Sequence, residues 1–374
     1  MVSKARKAAA QASYQQGERK NFVRNGDMAI AQSLTQSIAA SGGFAYGAVD
    51  GWKMYMGSAA AVNASQDAES PDGFNNSLKL DITTAETSVA AGDIAYIEQR
   101  FEGLDLQSIN KGDAQAKAVT ASFWVRSPVT GIHIVELLDL DNGNRSSSQS
   151  YTIASADTWE YHSVTFPPDT TGTLDNNNDG SLKIQFWLVA GTNFNPSSGT
   201  SLNTSWGTTT AARAVGQVNV LADDSDNFYL TGVQMELGNT GTDFQYESFK
   251  ENLSRCQRYF VAYGPTHTDA DDYVVVGTGL VTATANGWVE VGPPVPMRHR
   301  PSITFNNMYL FDAANRFLDT VDYVSVSESN TLYQSKATIW LNVVRQTTDM
   351  TVGRGLQLYT DNATDSYFWV SAEL

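Results

Sequence analysis

Along most of this 374-residue chain, apolar residues recur at every second position in short runs bounded by Gly, Asn, Asp, Ser or Pro. That is the period of a strand with one buried face. AVDGWKMYM places Trp52, Met54 and Met56 on one side, and SLKLDIT does the same with Leu78, Leu80 and Ile82. IAYIEQRF begins with Ile94 and Tyr96 and then shifts register. AVTASFWVRSPVTGIHIVELLD reads as two strands around a turn from Ser127-Pro128 to Gly131. WEYHSVTFP, LKIQFWLVAG and NFYLTGVQME complete the set, the last through Phe228, Leu230, Val233 and Met235. NFVRNGDM, from Asn21, reads as a further short strand with a turn at Asn25-Gly26. Strands this short, spaced this regularly and without a helical period, predict an antiparallel β-sandwich.

The same texture returns after Tyr259. YVVVGTGLVTATANGWVEV, SITFNNMYLFD, YVSVSESNTLY, ATIWLNVVR, LQLYTD and SYFWVSAEL supply the strands of a second sandwich. Between the two lies a short amphipathic stretch, Glu251–Tyr259. Residues 2–16 are different in kind. They are rich in Ala, Lys, Arg and Gln, but their apolar face is little more than alanine and Tyr14, too thin to fold alone. The expected fold is therefore all-β: a helical or extended arm over residues 1–20, an antiparallel β-sandwich over 21–250 and a C-terminal β-sandwich over 251–374. The polar insert Asn193–Val215 replaces strand texture with loop texture, and loops of that length are usually functional or mobile. No period of 20–50 residues repeats, which excludes a solenoid or a heptad shaft.

Charge sharpens the picture. Only 17% of residues are charged and the net charge is −16, which argues against nucleic acid as a partner. The charge is uneven: Lys4, Arg6, Lys7, Arg19 and Lys20 face Glu18 alone. The arm is thus +4, and the total of −16 leaves a body of −20. A basic arm on an acidic body suggests a partner of its own for the arm, with Lys4, Arg6 and Lys7 as its anchoring contacts. A lone Cys256 excludes an intrachain disulfide, and with four His it offers no zinc spacing. Nothing apolar follows the basic N-terminus as a secretion signal would require, and no run is long enough to cross a membrane as a helix.

Catalytic patterns are missing. There is no GxSxG, no phosphate loop and no dinucleotide fingerprint. His133 and His162 fall inside predicted strands. The acidic clusters Asp139-Leu-Asp141 and Asp223-Asp224-Ser-Asp226 sit beside turn residues and read as solvated loop charge. No cofactor is called for, although a structural calcium has two candidate loops. In the first, Asp175, Asn177 and Asp179 alternate before Gly180 like the first half of a calcium loop, but the twelfth position is Phe186 where a Glu should close it. Tryptophans in strands (Trp124, Trp187, Trp340, Trp369) read as core. Trp206 lies in the polar loop NTSWGTTT and is the candidate glycan platform, its ring able to stack on a sugar.

Three segments carry a resemblance. Asn227–Phe260 matches the form (F/Y)YLTGVQLE.G…F…S(Y/F).EEL..CQRY(Y/F); Ser122–Thr192 matches SFWV.SPVTG…NGNRS…WE…VTFP.DTTGT…L.I.FWL.AGT; and VGPPVPMRHRPSITF matches FPVPMR..P.(V/I). All three are similar to bacteriophage virion appendage proteins, that is, tail fibres, head fibres or spikes. The opening NFVRNGDM resembles the NL..NGDF first strand of carbohydrate-binding-module-like jelly rolls. What the resemblance implies is a non-enzymatic virion subunit, anchored to capsid or tail proteins, homo-oligomeric and most simply trimeric, that meets a host-surface glycan. It also implies a second calcium region formed by Asn25, Asp27 and Asp226. The alternative is a secreted bacterial carbohydrate-binding module or an accessory subunit of a polysaccharide-degrading system.

Overall fold

The computed structural model describes residues 21–33, 36–46, 48–264, 274–312, 316–318, 323–326, 338–344, 350–360 and 366–374. The arm over residues 1–20, with Lys4, Arg6 and Lys7, lies outside them. Among the described residues the chain is almost wholly β and every strand pairing is antiparallel.

Twelve strands build the first domain: β1 (Gln36–Ile38), β2 (Gly43–Tyr46), β3 (Lys53–Gly57), β4 (Ala61–Asp67), β5 (Ser77–Thr84), β6 (Ile94–Glu102), β7 (Val119–Arg126), β8 (Gly131–Asp139), β9 (Arg145–Ile153), β10 (Glu160–Phe166), β11 (Gly180–Ala190) and β12 (Asn227–Leu237). They form two six-stranded sheets, ordered β1-β4-β5-β12-β7-β10 and β2-β3-β6-β11-β8-β9. The inner faces enclose one core, in which Trp52, Phe123, Phe166, Phe186 and Phe228 are fully buried. Each such ring contributes roughly 2–3 kcal/mol by leaving water. The result is a jelly-roll-like sandwich, as the alternation predicts.

β12 shows how the alternation survives an irregular step. Leu230 and Val233 are three residues apart, yet both are fully buried. A bulge between Thr231 and Gln234 absorbs the extra residue, with Gly232 at φ +60°. A Cβ there would meet the Phe74 ring at 2.7 Å, so only glycine fits. NFVRNGDM differs from expectation. It is not a strand; it runs beside the bulge, with Val233 N donating to Gly26 O and the Asn21 side chain accepting from Met235 N. Its turn at Asn25-Gly26 is present. Two backbone bonds, Phe22 N to Met235 O and Val233 N to Gly26 O, together with the Asn21 side chain, hold the segment there without a full ladder.

The helix Phe249–Gln257 follows, opened by a capping box in which Ser248 and Glu251 satisfy each other's backbone N–H groups. It buries Asn252 and Cys256. The second domain has a seven-stranded sheet, ordered Arg316–Leu318, Met308–Asp312, Gly355–Thr360, Val275–Ala283, Asn286–Val291, Ile339–Val344, Tyr323–Val326, and a three-stranded sheet of Phe260–Tyr263, Tyr367–Ser371 and Ser302–Asn306. A separate core around Leu341, Leu358, Phe368 and Val370 joins them.

Arg298 ties the domains together. Its guanidinium donates to Asn178 O at 2.6 Å, Ala372 O at 3.0 Å and Glu373 O at 3.2 Å, and the Asn178 amide donates back to Arg298 O. Arg258 and the Tyr259 hydroxyl both reach Glu102 of the first domain. Replacing Arg298 by Ala strands buried carbonyls without donors, at a cost of about 3 kcal/mol. We expect Arg298→Ala to separate the melting of the two domains and to raise the radius of gyration in small-angle scattering. An unchanged single transition would refute this role.

His133 supplies a pH test of the first core. It is fully buried and stacked 5.4 Å from Tyr151, and one ring nitrogen contacts Val129 O while the other has no partner. Burial, with repulsion from His162 adding to it, lowers its pKa from 6.5 to about 4. The unfolded chain therefore takes up a proton first as pH falls. Stability is complete above pH 6.5 and is lost on the way down towards 4, by about 2 kcal/mol between pH 7 and 5. Urea titrations at those two pH values should show this extra loss in the wild type and not in His133→Gln.

Candidate functional site

The outer face of the second sheet is the most chemically loaded surface of the described residues. Strand pairing lines up two rows across it. One runs Phe44–Tyr55–Tyr96–Trp187, and the next runs Tyr46–Lys53–Glu98–Gln185–Glu136–Ser148. Each row follows from period-two alternation: the residues between these positions, such as Met54, Ile97, Ile184, Phe186 and Val135, belong to the core.

The floor of this groove is buried and charged. Glu98 accepts from Lys183 Nζ at 2.6 Å and from Arg100 Nε at 2.7 Å. Glu136 accepts from Arg213 through two bonds of 2.8 and 2.9 Å and from the Trp187 indole at 3.1 Å. Gln185 lies between the two carboxylates as the cross-strand neighbour of both. Among the described residues, neither its amide nitrogen nor its amide oxygen has a partner, and the Ser148 hydroxyl has none. Buried polar atoms left unpaired cost about 1–3 kcal/mol each, so a ligand or water is the natural complement.

Two elements cover the groove in part. The insert 193–215 folds over one end, where Phe194, Leu202 and Ala214 pack on Trp187 and Arg213 lies 5.3 Å from its ring. The same insert lines the edge strand β9: Ser146 and Gly207 exchange backbone bonds, and Ser148 N donates to Asn203 O. An edge that could pair with another chain is thereby closed. At the other end the last residues of the second domain arrive, and Leu374 O accepts from Tyr46 OH at 2.6 Å and Lys53 Nζ at 3.1 Å. Between these covers the aromatic rim stays open. Phe44 is 47% exposed and edge-on to Tyr55 at 4.7 Å, and Tyr55 stacks on Tyr96 at 5.3 Å.

The residues singled out from sequence lie elsewhere. Trp206 is half-buried against the core; its indole donates to Pro167 O at 2.8 Å and Lys111 Nζ sits 5.0 Å from its ring. The ring therefore pins its own loop. In the loop of Asp175, Asn177 and Asp179, the Asn177 side-chain Oδ1 accepts from Asp179 N, the Asp179 carboxylate lies 3.5 Å from Arg298, and Asp175 N donates to the Asp141 carboxylate. These groups serve the turn and the domain junction. Asn25, Asp27 and Asp226 are not brought together: Gly26 lies against Val233, and Asp226 lies seven residues before Val233, just ahead of β12, roughly 20 Å away. Asn25 instead bonds Ile30 and Asp50, and Asp27 accepts from Asn252. Among the described residues, no three His, Cys, Asp or Glu are grouped so as to hold a metal ion.

Asp139 is buried and engaged by Lys111, which also contacts Asp169 at 3.1 Å. Of the four strand tryptophans only Trp187 is buried, and it faces away from the main core; Trp124, Trp340 and Trp369 are half-buried. A cavity of about 170 Å³ lies at the domain junction beside Phe22, Leu104, Asp105 and Tyr259. Of its three arginines, Arg258 is engaged by Glu102 and Arg255 by Glu247, while Arg24 Nε has no hydrogen-bond partner among the described residues.

The groove residues Phe44, Lys53, Tyr55, Glu98, Gln185, Glu136 and Arg213 escaped the sequence reading. A signal was present: in IAYIEQRF and LKIQFWLVAG the positions opposite the core are Tyr, Glu and Arg in one strand and Lys, Gln and Trp in the other.

Fold and groove together define a class: an all-β protein of two sandwiches, the first jelly-roll-like with a partly covered polar and aromatic groove on one sheet. No protein-family model matches the chain, and no curated protein does. Among solved structures, it is similar to the enzymatically active domain of tailspike protein 4 of bacteriophage CBA120, at 13% identity and TM-score 0.30 over 58% of this chain and 21% of that one. It is also similar to a family 4 carbohydrate-binding module (12% identity, TM-score 0.30, 58% of this chain and 99% of that one). The C-terminal family 22 module of Clostridium thermocellum Xyn10B is a third (12%, 0.30, 54% and 98%). The chain spans about a fifth of the tailspike domain. Likenesses at these scores carry no argument about ligand or chemistry.

Proposed function

We propose that this protein is a non-enzymatic, glycan-binding subunit of a bacteriophage particle, held to its capsid or tail by the basic arm and assembled as a homotrimer. One observation carries the glycan part. An open aromatic rim, Phe44 on Tyr55, stands on the same sheet face as a buried row in which the Gln185 amide has no partner among the described residues. Sugars need both: a ring face to stack on and fixed donors and acceptors for hydroxyls.

A hydrolase reading draws less support. Glu98 and Glu136 lie two strand spacings apart, roughly 10 Å, near the separation of an inverting pair. Yet each is fully buried and held by a cation. An acid catalyst must keep a proton and reach the leaving group, which this arrangement disfavours.

Glycan binding is tested by calorimetry against a panel of bacterial surface polysaccharides. Phe44→Ala should weaken binding about tenfold, since an aromatic contact contributes about 1–1.5 kcal/mol, while leaving the melting temperature unchanged. Equal binding by wild type and variant would remove the rim from the site.

The particle part is supported by the sequence resemblance and by the charge contrast between arm and body. A chain lacking residues 1–20 should fold, sediment at the same trimeric mass and fail to enter particles. Incorporation at the wild-type level would refute the anchor, and a secreted module would show no incorporation with or without the arm.

A further inference from the structure

We infer that the first domain contains a cation site which the chain fills with its own Lys111, an ammonium standing where a potassium-sized monovalent ion would otherwise bind. Nothing in this depends on the glycan reading. Lys111 Nζ donates to the Asp139 carboxylate, to Thr171 O at 3.1 Å and to Gly172 O at 2.8 Å, and it lies 3.1 Å from an Asp169 oxygen. Two carboxylates and two main-chain carbonyls therefore surround one positive charge, with the Trp206 ring 5.0 Å from it. Lys111, Asp139 and Asp169 are all buried. Oxygen donors of these two kinds are what hard cations take in place of water.

Size and charge select the class of ion. Calcium draws its oxygens to about 2.3–2.6 Å and magnesium to about 2.0–2.1 Å. The two carbonyls and Asp169 stand further off, at 2.8 to 3.1 Å. Arg145 already offsets Asp169 through bonds of 3.1 and 3.2 Å, which leaves the single charge of Asp139 for the guest. A monovalent ion balances that charge. The Asp139 carboxylate is also held in place without Lys111, since it accepts from Asp141 N, Asn142 N and the Asn142 amide.

Four segments meet on this charge. Lys111 lies between Asn110 at φ 55° and Gly112 at φ +84°. A Cβ on Gly112 would meet Thr173 N at 2.6 Å, so the loop of Lys111 is pressed directly against the loop that supplies the two carbonyls. Asp139 ends β8, and Arg145 opens β9. Trp206 belongs to the insert, and its main-chain oxygen lies 3.5 Å from Arg145, next to the paired backbone bonds of Ser146 and Gly207. Lys111 is thus a positioning residue that seats one end of the insert along β9.

The experiment uses the full chain. Lys111→Ala leaves the four oxygens without a cation and should lower the melting temperature of the first domain by about 10 °C. Potassium chloride or methylammonium chloride should restore most of that loss along a saturating curve. Tetramethylammonium chloride at equal ionic strength should not, its ion being too large for the site. Wild type should respond alike to all three salts. Lys111→Met, whose own side chain fills the space, should be destabilised and gain nothing specific from potassium. Hydrogen exchange adds a local reading: the amides of Ser146, Ser148 and Gly207 should lose protection in Lys111→Ala and regain it with potassium. If Lys111→Ala is unfolded as isolated, refolding in each salt replaces melting, with recovery expected in potassium or methylammonium. No rescue by either ion, or equal rescue by tetramethylammonium, would overturn the inference. So would a Lys111→Met variant as stable as wild type, since packing alone would then account for Lys111. Rescue by calcium chloride and not by potassium would overturn the monovalent assignment.

Discussion

Burying β11 on both of its faces is the constraint on which the rest of the first domain depends. From Ser181 to Val189 every position is buried. The inner side chains, Leu182, Ile184, Phe186 and Leu188, join the core and need nothing more. The outer ones, Lys183, Gln185 and Trp187, are polar or carry an N–H, and burial would be costly without partners. Glu98 and Glu136, on the two flanking strands, answer Lys183 and Trp187. Arg213 answers Glu136 in turn, which is what draws the insert over the sheet. The Gln185 amide is left without an answer among the described residues, so the folding constraint and the candidate binding site meet at this position.

A second dependence joins the two domains. The segments that resemble virion proteins, CQRY and PMR, supply Arg258, Tyr259 and Arg298. These three make the principal polar contacts of the junction, to Glu102, Asn178 and the last residues of the chain. Their role is to set one sandwich against the other. The setting has a consequence for the groove, because the strand Tyr367–Ser371 leads directly into the tail that meets Tyr46 and Lys53. Burial raises the Glu373 carboxyl to about 7, despite the pull of Arg24.

The loop of Asp175, Asn177 and Asp179 illustrates how one composition serves two purposes. Alternating Asp and Asn before a glycine suits a cation, and it equally suits a tight turn. Here the turn prevails, since Asn177 caps Asp179 and Asn178 faces Arg298. Trp206 makes the same point: a tryptophan in a polar loop can wait for a sugar or nail the loop down, and a bonded indole with a packed ring does the latter.

By itself, the sequence determined the all-β class, both sandwiches and most strand positions, because a period of two reports which face of a strand is dry; the bulge at Gly232 came only with the structure. The helix after Ser248 was visible as an amphipathic stretch over Glu251–Tyr259, while its capping box of Ser248 and Glu251 came with the structure. Which outer face mattered was decided only in three dimensions. Lys53, Glu98, Gln185 and Glu136 come from four strands, and each looks like an ordinary solvent-facing residue until the sheet order β3-β6-β11-β8 sets them side by side. Alternation fixes the side of a sheet on which a residue lies, but not which strands are its neighbours or what lies above it. Those depend on long-range pairing and on the insert and tail that cover the groove, so the site emerges only with the tertiary structure.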